Sequence, residues 1–175
     1  MDNLKALLDK FIESEQTKDI LNCLGAAQPT RLLLNGLMGA QESFVLRALF
    51  EASDQHHLFV ATDKEDAAYI QNALDQLVES QTVLFFPDSF KRPALFEEVD
   101  NNNVLVRTEA VNKLYSGYQK KDILVTYPEA LFEKVVDPKH IEDQKIVISK
   151  NEKLDPDTII EFLYEYGFTR TDFVY

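Results

Sequence analysis

Apolar residues recur at two different spacings along the chain, and these spacings predict helices and strands in alternation. The first segment has apolar positions three and four residues apart, from Leu4 to Ile12, which is typical of an amphipathic helix. The stretch from Gly25 to Pro29 interrupts that pattern. Short apolar runs between turn residues then predict buried strands at Arg31–Asn35, His57–Ala61, Thr82–Phe86 and Ile123–Thr126.

Helical spacing returns between these runs. It covers residues 44–50, then a helix that carries Ala67, Ile70 and Leu74 and is capped by Thr62 or Asp63, and a helix from Val104 to Ser116 that ends at Gly117. A long loop is predicted from Asp88 to Asn103, and Pro128 suits the first turn of a further helix. Strands that alternate with helices and read as nearly continuous apolar runs favour an α/β fold, with a parallel sheet covered on both faces.

The pattern changes past Val136. Residues 145–148 predict a strand, residues 155–163 predict a helix that Gly167 ends, and residues 168–175 predict another strand. This unit is too small to bury its own apolar face. We therefore expect one domain at residues 1–138 and the beginning of a second at 139–175, in a chain that is a fragment of a longer protein. Exposed aromatic rings in the second unit would favour edge-strand self-association between chains.

Composition and charge narrow the classes of function. The 175 residues are 45% hydrophobic and 27% charged, which is globular composition. The formal net charge of −12 argues against a free-standing binder of nucleic acid or of an anionic membrane, since such binding requires clustered Lys and Arg. A single cysteine, Cys23, and the lack of an apolar run of ~18 residues indicate a cytoplasmic protein with no membrane partner.

One segment, Gly36 to Ser43, has the context of a phosphate-binding loop, because it is predicted to follow a strand and precede a helix. A working loop reads G-x-x-x-x-G-K-[ST], in which backbone amides wrap the phosphates, the lysine neutralises them and the hydroxyl holds Mg²⁺. Gly36 and Ser43 fit that pattern. Gln41 occupies the position of the second glycine, and Glu42 occupies the position of the lysine.

The acid at position 42 decides how the loop is interpreted. Two unit charges ~4 Å apart interact by about 4 kcal/mol near a protein surface, and replacing an ammonium by a carboxylate reverses the sign of that interaction with a phosphate. No acidic pair follows the strand at Ile123–Thr126 to hold a metal. We therefore predict no catalysis, no cofactor and no metal in this chain. A tight turn alone also accounts for Gly36 and Gly39.

Several segments, in order along the chain, are similar to the amino-terminal, UvrB-like region of the bacterial transcription-repair coupling factors (the Mfd family). The similarity covers most of the chain from Leu32 onward. Its segments are Leu34–Ala40, Ala73–Leu77, Phe85–Asp88, Arg107–Leu114, Ile123–Thr126, Ala130–Leu131 and Tyr166–Val174.

This resemblance implies a RecA-like layer with a degenerate nucleotide site, followed by a small α+β domain. It implies an adaptor that recruits UvrA and is masked by a carboxy-terminal domain of the same protein. RNA polymerase and DNA would be bound by other domains of that protein, and ATP and Mg by its motor domains. The family's UvrA contact lies just past the equivalents of Val174 and Tyr175, so Arg170 is expected to neighbour that contact. The segment Asp88–Asn103 is short and acidic, so the DNA-probing hairpin of UvrB is not expected here.

Two alternatives remain open from the sequence. The altered loop could still bind a nucleotide, as part of a helicase-like ATPase, or the chain could be an unrelated acidic α/β domain. Binding of Mg-ATP separates the first alternative from the adaptor, and failure to bind UvrA would favour the second.

Overall fold

The computed structural model describes residues 2–78, 82–91, 98–116, 121–135, 146, 148–150, 153–165 and 167–171. The chain divides into two compact units, Met1–Val135 and Val136–Tyr175. The elements in the first unit are α1 Asp2–Glu13, α2 Glu15–Leu24, α3 Gln41–Ala52, β1 His57–Val60, α4 Lys64–Leu77, β2 Val83–Phe86, α5 Asn101–Tyr115, β3 Ile123–Thr126 and α6 Pro128–Phe132. The helix described in the second unit is α7 Pro156–Glu165.

The strands form a small parallel sheet in the order β1-β3-β2. The central strand supplies the core, since Ile123 and Val125 are fully buried. Helix α4 packs against β2 and β3, and α5 packs against β2. The molecule is therefore a mixed α/β protein, and the three strands predicted at residues 57–61, 82–86 and 123–126 are confirmed.

The strand predicted at Arg31–Asn35 is wrong. These residues adopt no regular structure, and Leu33 is 82% exposed. A short continuous apolar run is compatible with a buried strand, but the run does not by itself specify whether it finds a strand to pair with. The loop that follows therefore precedes a helix, as predicted, but does not follow a strand.

Side-chain caps set the helix starts. The Asp63 carboxylate accepts a hydrogen bond from the Asp66 amide at 2.8 Å and caps α4, as predicted. Asp100 accepts from the amides of Asn102 and Asn103, so α5 begins three residues before the predicted Val104. The predicted loop thus ends at Asp100. Its residues 92–97, like the predicted cap Gly117, lie outside the described residues.

The first three helices pack together at the amino-terminal end of the first unit. Ser14 separates α1 from α2 and caps α2 through the amide of Thr17. The rings of Phe11 in α1 and Phe44 in α3 stack with centroids 5.2 Å apart. Aromatic packing and the cap thus fix two short helices before the Gly25 break.

In the second unit, α7 and its termination at Gly167 are confirmed. Phe168 donates its amide hydrogen to the Leu163 carbonyl and Gly167 donates to that of Tyr164, with Gly167 at φ +79°. This is a Schellman ending, which requires a left-handed residue. Of the two strands predicted in this unit, residues 146, 148 and 168–171 are described and form none, and the others lie outside the described residues.

Candidate nucleotide loop and strand-end network

The loop from Gly36 to Ser43 forms a tight turn into α3. Gly36 has φ +83° and Gly39 has φ +57°, a region that other residues enter only with strain. A β-carbon at either position would meet no atom within 4 Å. Backbone conformation, rather than close approach of a neighbouring group, therefore accounts for both glycines.

The Gln41 side chain is hydrogen-bonded to the backbone of this turn. Its Oε1 accepts a hydrogen bond from the Met38 amide at 2.9 Å, and the Gln41 amide donates to the Met38 carbonyl at 3.3 Å. A phosphate-binding loop depends on amides that point at the ligand without a partner. The Met38 amide already has a partner here, since the side chain at the position of the second glycine supplies an acceptor.

Charge and burial at the start of α3 also disfavour an anion. Glu42 is exposed in the first helical turn, where its carboxylate is favoured by the positive end of the helix dipole. Ser43 is 0% exposed, so its hydroxyl is not presented to solvent. The structure thus brings Gly36, Gly39 and Gln41 into one turn, while Glu42 is on the surface and Ser43 is buried.

A second polar cluster lies where β2 and β3 end, the edge at which open α/β sheets usually bind ligands. The Tyr127 hydroxyl donates to Asp88 Oδ1 and accepts from the Asp88 amide at 2.9 Å. Lys64 Nζ, from the first turn of α4, lies 3.3 Å from the same carboxylate oxygen. Asp88 and Tyr127 are 2% and 1% exposed. We call these residues, with Arg107 and Glu133, the strand-end network.

Arg107, from α5, joins the network to the following helix. Its guanidinium donates to the carbonyl oxygens of Pro87, Ala130 and Glu133 at 2.8, 2.9 and 2.9 Å. It also lies 3.9 Å from the centre of the Phe86 ring. The Glu133 carboxylate in turn accepts from the Ser89 amide at 2.8 Å. One buried cation therefore ties together the end of β2, α5 and α6.

Burial shapes the ionisation of this network. Desolvation, then the hydrogen bond to Asp88, raises the pKa of Tyr127, so the phenol stays neutral and donates. Desolvation lowers the pKa of Arg107, opposed by the charges of Glu133 and Asp88, and the guanidinium remains charged since arginine starts so high. The second Asp88 oxygen, Oδ2, is buried and has no hydrogen-bond partner among the described residues.

This arrangement is suited to holding the protein together. The hydrogen bonds of Arg107 and Tyr127 end on protein groups, and Lys64, 36% exposed at its side chain, is the member most open to solvent. Arg107 and Asp88 belong to segments that carry the family resemblance, but the sequence pattern assigned them no role. Two sequence signals for the network were available. One is an arginine at a helix position that faces the sheet, and the other is an aspartate that directly follows Phe-Pro.

Two histidines and Arg170 lie outside the loop and the strand-end network. Among the described residues, no group of three or more His, Cys, Asp or Glu is placed to hold an ion. His56 Nδ1 accepts from the Asp122 amide at 3.2 Å, and His57 Nε2 lies 2.9 Å from Ser53 Oγ. Arg170 is exposed in the second unit. Among the described helices, none is long and apolar enough to cross a membrane.

In a comparison with known proteins, no protein-family model matches the chain, and neither a curated protein nor a solved structure matches it.

Proposed function

We propose that this chain is a non-catalytic adaptor: a RecA-like module with a degenerate nucleotide loop that binds UvrA, as its resemblance to the transcription-repair coupling factors implies. In this proposal the activity of the longer protein, ATP-driven movement on DNA and release of stalled RNA polymerase, belongs to other domains. The module itself would act in the cytoplasm through protein contacts.

The observation that carries the proposal is the hydrogen bonding and the charge of the Gly36–Ser43 turn. The Met38 amide donates to Gln41, and the carboxylate of Glu42 occupies the helix start where a nucleotide-binding loop offers a cation. Both features act against a bound phosphate, one by removing a donor and the other by repulsion. A scaffold with a closed loop is suited to docking rather than to hydrolysis.

A second candidate, a nucleotide-binding fragment of a helicase-like ATPase, is favoured by one observation. Ser43 Oγ is buried and has no hydrogen-bond partner among the described residues, as a metal-holding hydroxyl would in the absence of its ion. Its complete burial and the adjacent Glu42 weigh against this candidate.

Capture of UvrA by the immobilised chain tests the adaptor directly. We expect the chain, extended through the rest of the second domain so that it includes the expected contact past Tyr175, to retain UvrA from solution. The double variant Gln41→Gly/Glu42→Lys should retain it equally, because the loop is not a contact. Arg170→Ala is expected to weaken capture several-fold. Lys153→Ala, a substitution of another exposed basic residue of the same unit, should leave capture unchanged.

Two results would contradict the adaptor. The first is no capture of UvrA even by a chain extended through the rest of the second domain, which favours an unrelated acidic α/β domain. The second is capture that requires added Mg-ATP, which favours the nucleotide-binding fragment.

A further inference from the structure

Asn35 is followed directly by Gly36, and the sequence contains this dipeptide once. Both residues are exposed, and they lie in a stretch, residues 31–38, that adopts no regular structure. Asparagine is among the chemically labile residues of proteins. It reacts most readily before a glycine, because the amide nitrogen of the next residue attacks the side-chain carbonyl carbon and a glycine has no β-carbon to obstruct that attack.

The backbone amide of Gly36 is available for this reaction. Among the described residues, neither that amide nor the Asn35 side chain makes a hydrogen bond. A β-carbon built at Gly36 would meet no atom within 4 Å, so the space around the residue is open. The nitrogen and the side chain can therefore approach each other without breaking a hydrogen bond to any described residue.

Asparagines inside the helices show the opposite arrangement. Asn72 and Asn112 have exposed side chains but lie within α4 and α5, where the next amide donates to a carbonyl of the same helix. At the start of α5, the amide of Asn102, which follows another asparagine, donates to Asp100 Oδ1 at 3.0 Å. Exposure is common to these positions, and the unbonded glycine amide distinguishes Asn35 from them.

We propose that Asn35 is a site of spontaneous deamidation, at which the chain modifies itself with water as the only co-reactant. The Gly36 nitrogen loses its proton and bonds to Cγ of Asn35, and the side-chain nitrogen leaves as ammonia, so that a succinimide ring closes. Water then opens the ring at either carbonyl. Opening at Cγ leaves an aspartate in a normal backbone, and opening at the backbone carbonyl leaves an isoaspartate, whose main chain runs through Cβ and Cγ.

The fold determines which asparagine reacts. Groups held next to each other in one molecule react at a high effective concentration, so the rate depends on how freely they reach the attacking geometry. Within a helix, the amide must first leave its hydrogen bond, and this local opening costs free energy. No such bond has to break at Asn35. Folding should therefore slow the reaction of the helical asparagines and leave that of Asn35 nearly unchanged.

The products alter the entrance to the Gly36–Ser43 turn. Each conversion adds one negative charge to a chain whose net charge is already −12. The isoaspartate also lengthens the backbone by a methylene group, directly before the residue whose φ of +83° begins the turn. The proposal goes beyond the adaptor function and does not depend on it, since it concerns the chemistry of the chain itself rather than a binding partner.

Peptide mapping by mass spectrometry tests the proposal, on the folded chain and on the chain unfolded in urea, both incubated in mildly alkaline buffer. The mass gained when an amide becomes an acid identifies each converted asparagine. In the folded chain we expect Asn35 to convert at least ~10-fold faster than Asn72 or Asn112. Unfolding should raise the rates at Asn72 and Asn112 at least ~10-fold and change the rate at Asn35 by less than about 2-fold.

Matched variants make the test specific. Asn35→Ser removes the reacting carbonyl and should abolish the more acidic form that isoelectric focusing resolves during incubation. Asn72→Ser removes an exposed asparagine of α4 and should leave the formation of that acidic species unchanged. Gly36→Ala places a β-carbon beside the nucleophile and should slow conversion at least ~10-fold, in the folded and the unfolded chain alike, so an altered fold does not account for the effect.

Three results would overturn the proposal. The first is a rate at Asn35 within about 10-fold of that at Asn72 in the folded chain. The second is protection of Asn35 by folding of more than about 2-fold, which would show that the Gly36 amide is held in the native structure. The third is an acidic species that forms equally fast in Asn35→Ser.

Discussion

The Gly36–Ser43 turn and the strand-end network differ in how well a sequence motif indicates the hydrogen bonds and charges that the structure shows. The turn carries the recognisable sequence pattern, yet its Met38 amide is bonded to Gln41 and the charged residue at the start of α3 is an acid. The network carries no recognisable motif, yet its buried tyrosine and aspartate are hydrogen-bonded to each other, and its buried arginine donates to the carbonyl of the residue before the aspartate. The comparison teaches that the recognisable motif and the buried charges of this chain lie in different places, and that the buried charges stabilise the fold.

The comparison predicts that the largest loss of stability comes from the network. Arg107→Leu would leave two buried carbonyl oxygens and one partly buried carbonyl oxygen without this donor, and Glu133 without its cation. We expect the free energy of unfolding to fall by about 3–5 kcal/mol, the cost of breaking a buried charge pair from one side. Urea denaturation measures it. Lys91→Leu, at a half-exposed ion pair with Glu98, is the control and should cost less than about 1 kcal/mol.

An equal decrease in the free energy of unfolding of the two variants would show that the contacts of Arg107 do not stabilise the fold more than a surface ion pair does.

A smaller loss is expected at Tyr127. Tyr127→Phe removes the hydroxyl that donates to Asp88 and accepts from the Asp88 amide, while it keeps the ring. The variant leaves the buried Asp88 amide without an acceptor and leaves Lys64 as the partner of Asp88 Oδ1, and one unsatisfied buried donor costs about 1–3 kcal/mol. The urea midpoint of the variant measures this, and a stability equal to that of the parent would mean that solvent replaces the hydroxyl, so the network is not closed.

The turn should be less sensitive than the network. Gly39→Ala forces a β-carbon into φ +57° but causes no clash, because nothing lies within 4 Å. The expected cost is therefore the strain alone, about 1–2 kcal/mol. Gly25→Ala, at φ −78°, is the matched control and should cost less. A loss larger than that of Arg107→Leu would reverse the ranking of the two regions.

The smallest effect is a pH dependence at the start of β1. Desolvation, then Lys121 and His56, lowers the pKa of His57 in the folded state. The neutral form is therefore favoured by folding, its contribution is complete above the unfolded value of about 6.5, and stability is lost as pH falls through the lowered folded pKa. The urea midpoint should decrease below pH 6.5. His57→Gln should reduce that decrease, and an unchanged slope would assign it to other groups.

Much of the sheet was predictable from the sequence, because each strand is marked by residues that are adjacent in the chain. The runs at His57–Ala61, Thr82–Phe86 and Ile123–Thr126 are apolar, short and bounded by turn residues, and this pattern predicted all three strands. Arg31–Asn35 has the same pattern and forms no strand. Whether such a run pairs depends on contacts with distant parts of the chain, which the run itself does not specify.

The candidate site was likewise predictable only where its residues are adjacent in the sequence. The Gly36–Ser43 turn was predictable because all its residues are adjacent. The closure by Gln41 was not, since only the three-dimensional structure shows the bond to the Met38 amide. The network was missed because it is built from distant residues: Arg107 reaches Pro87, 20 residues away, and Ala130, 23 residues away. No spacing rule in a single sequence connects those positions.

Calorimetric titration of the chain with Mg-ATP tests the central claim most directly, that the turn binds no triphosphate. We expect no saturable heat at millimolar nucleotide, from the parent chain or from Arg107→Leu under folded conditions, and at most weak binding by Gln41→Gly/Glu42→Lys, which restores the missing glycine and lysine. Binding by the parent chain with a micromolar dissociation constant, abolished by a substitution at Ser43, would contradict it.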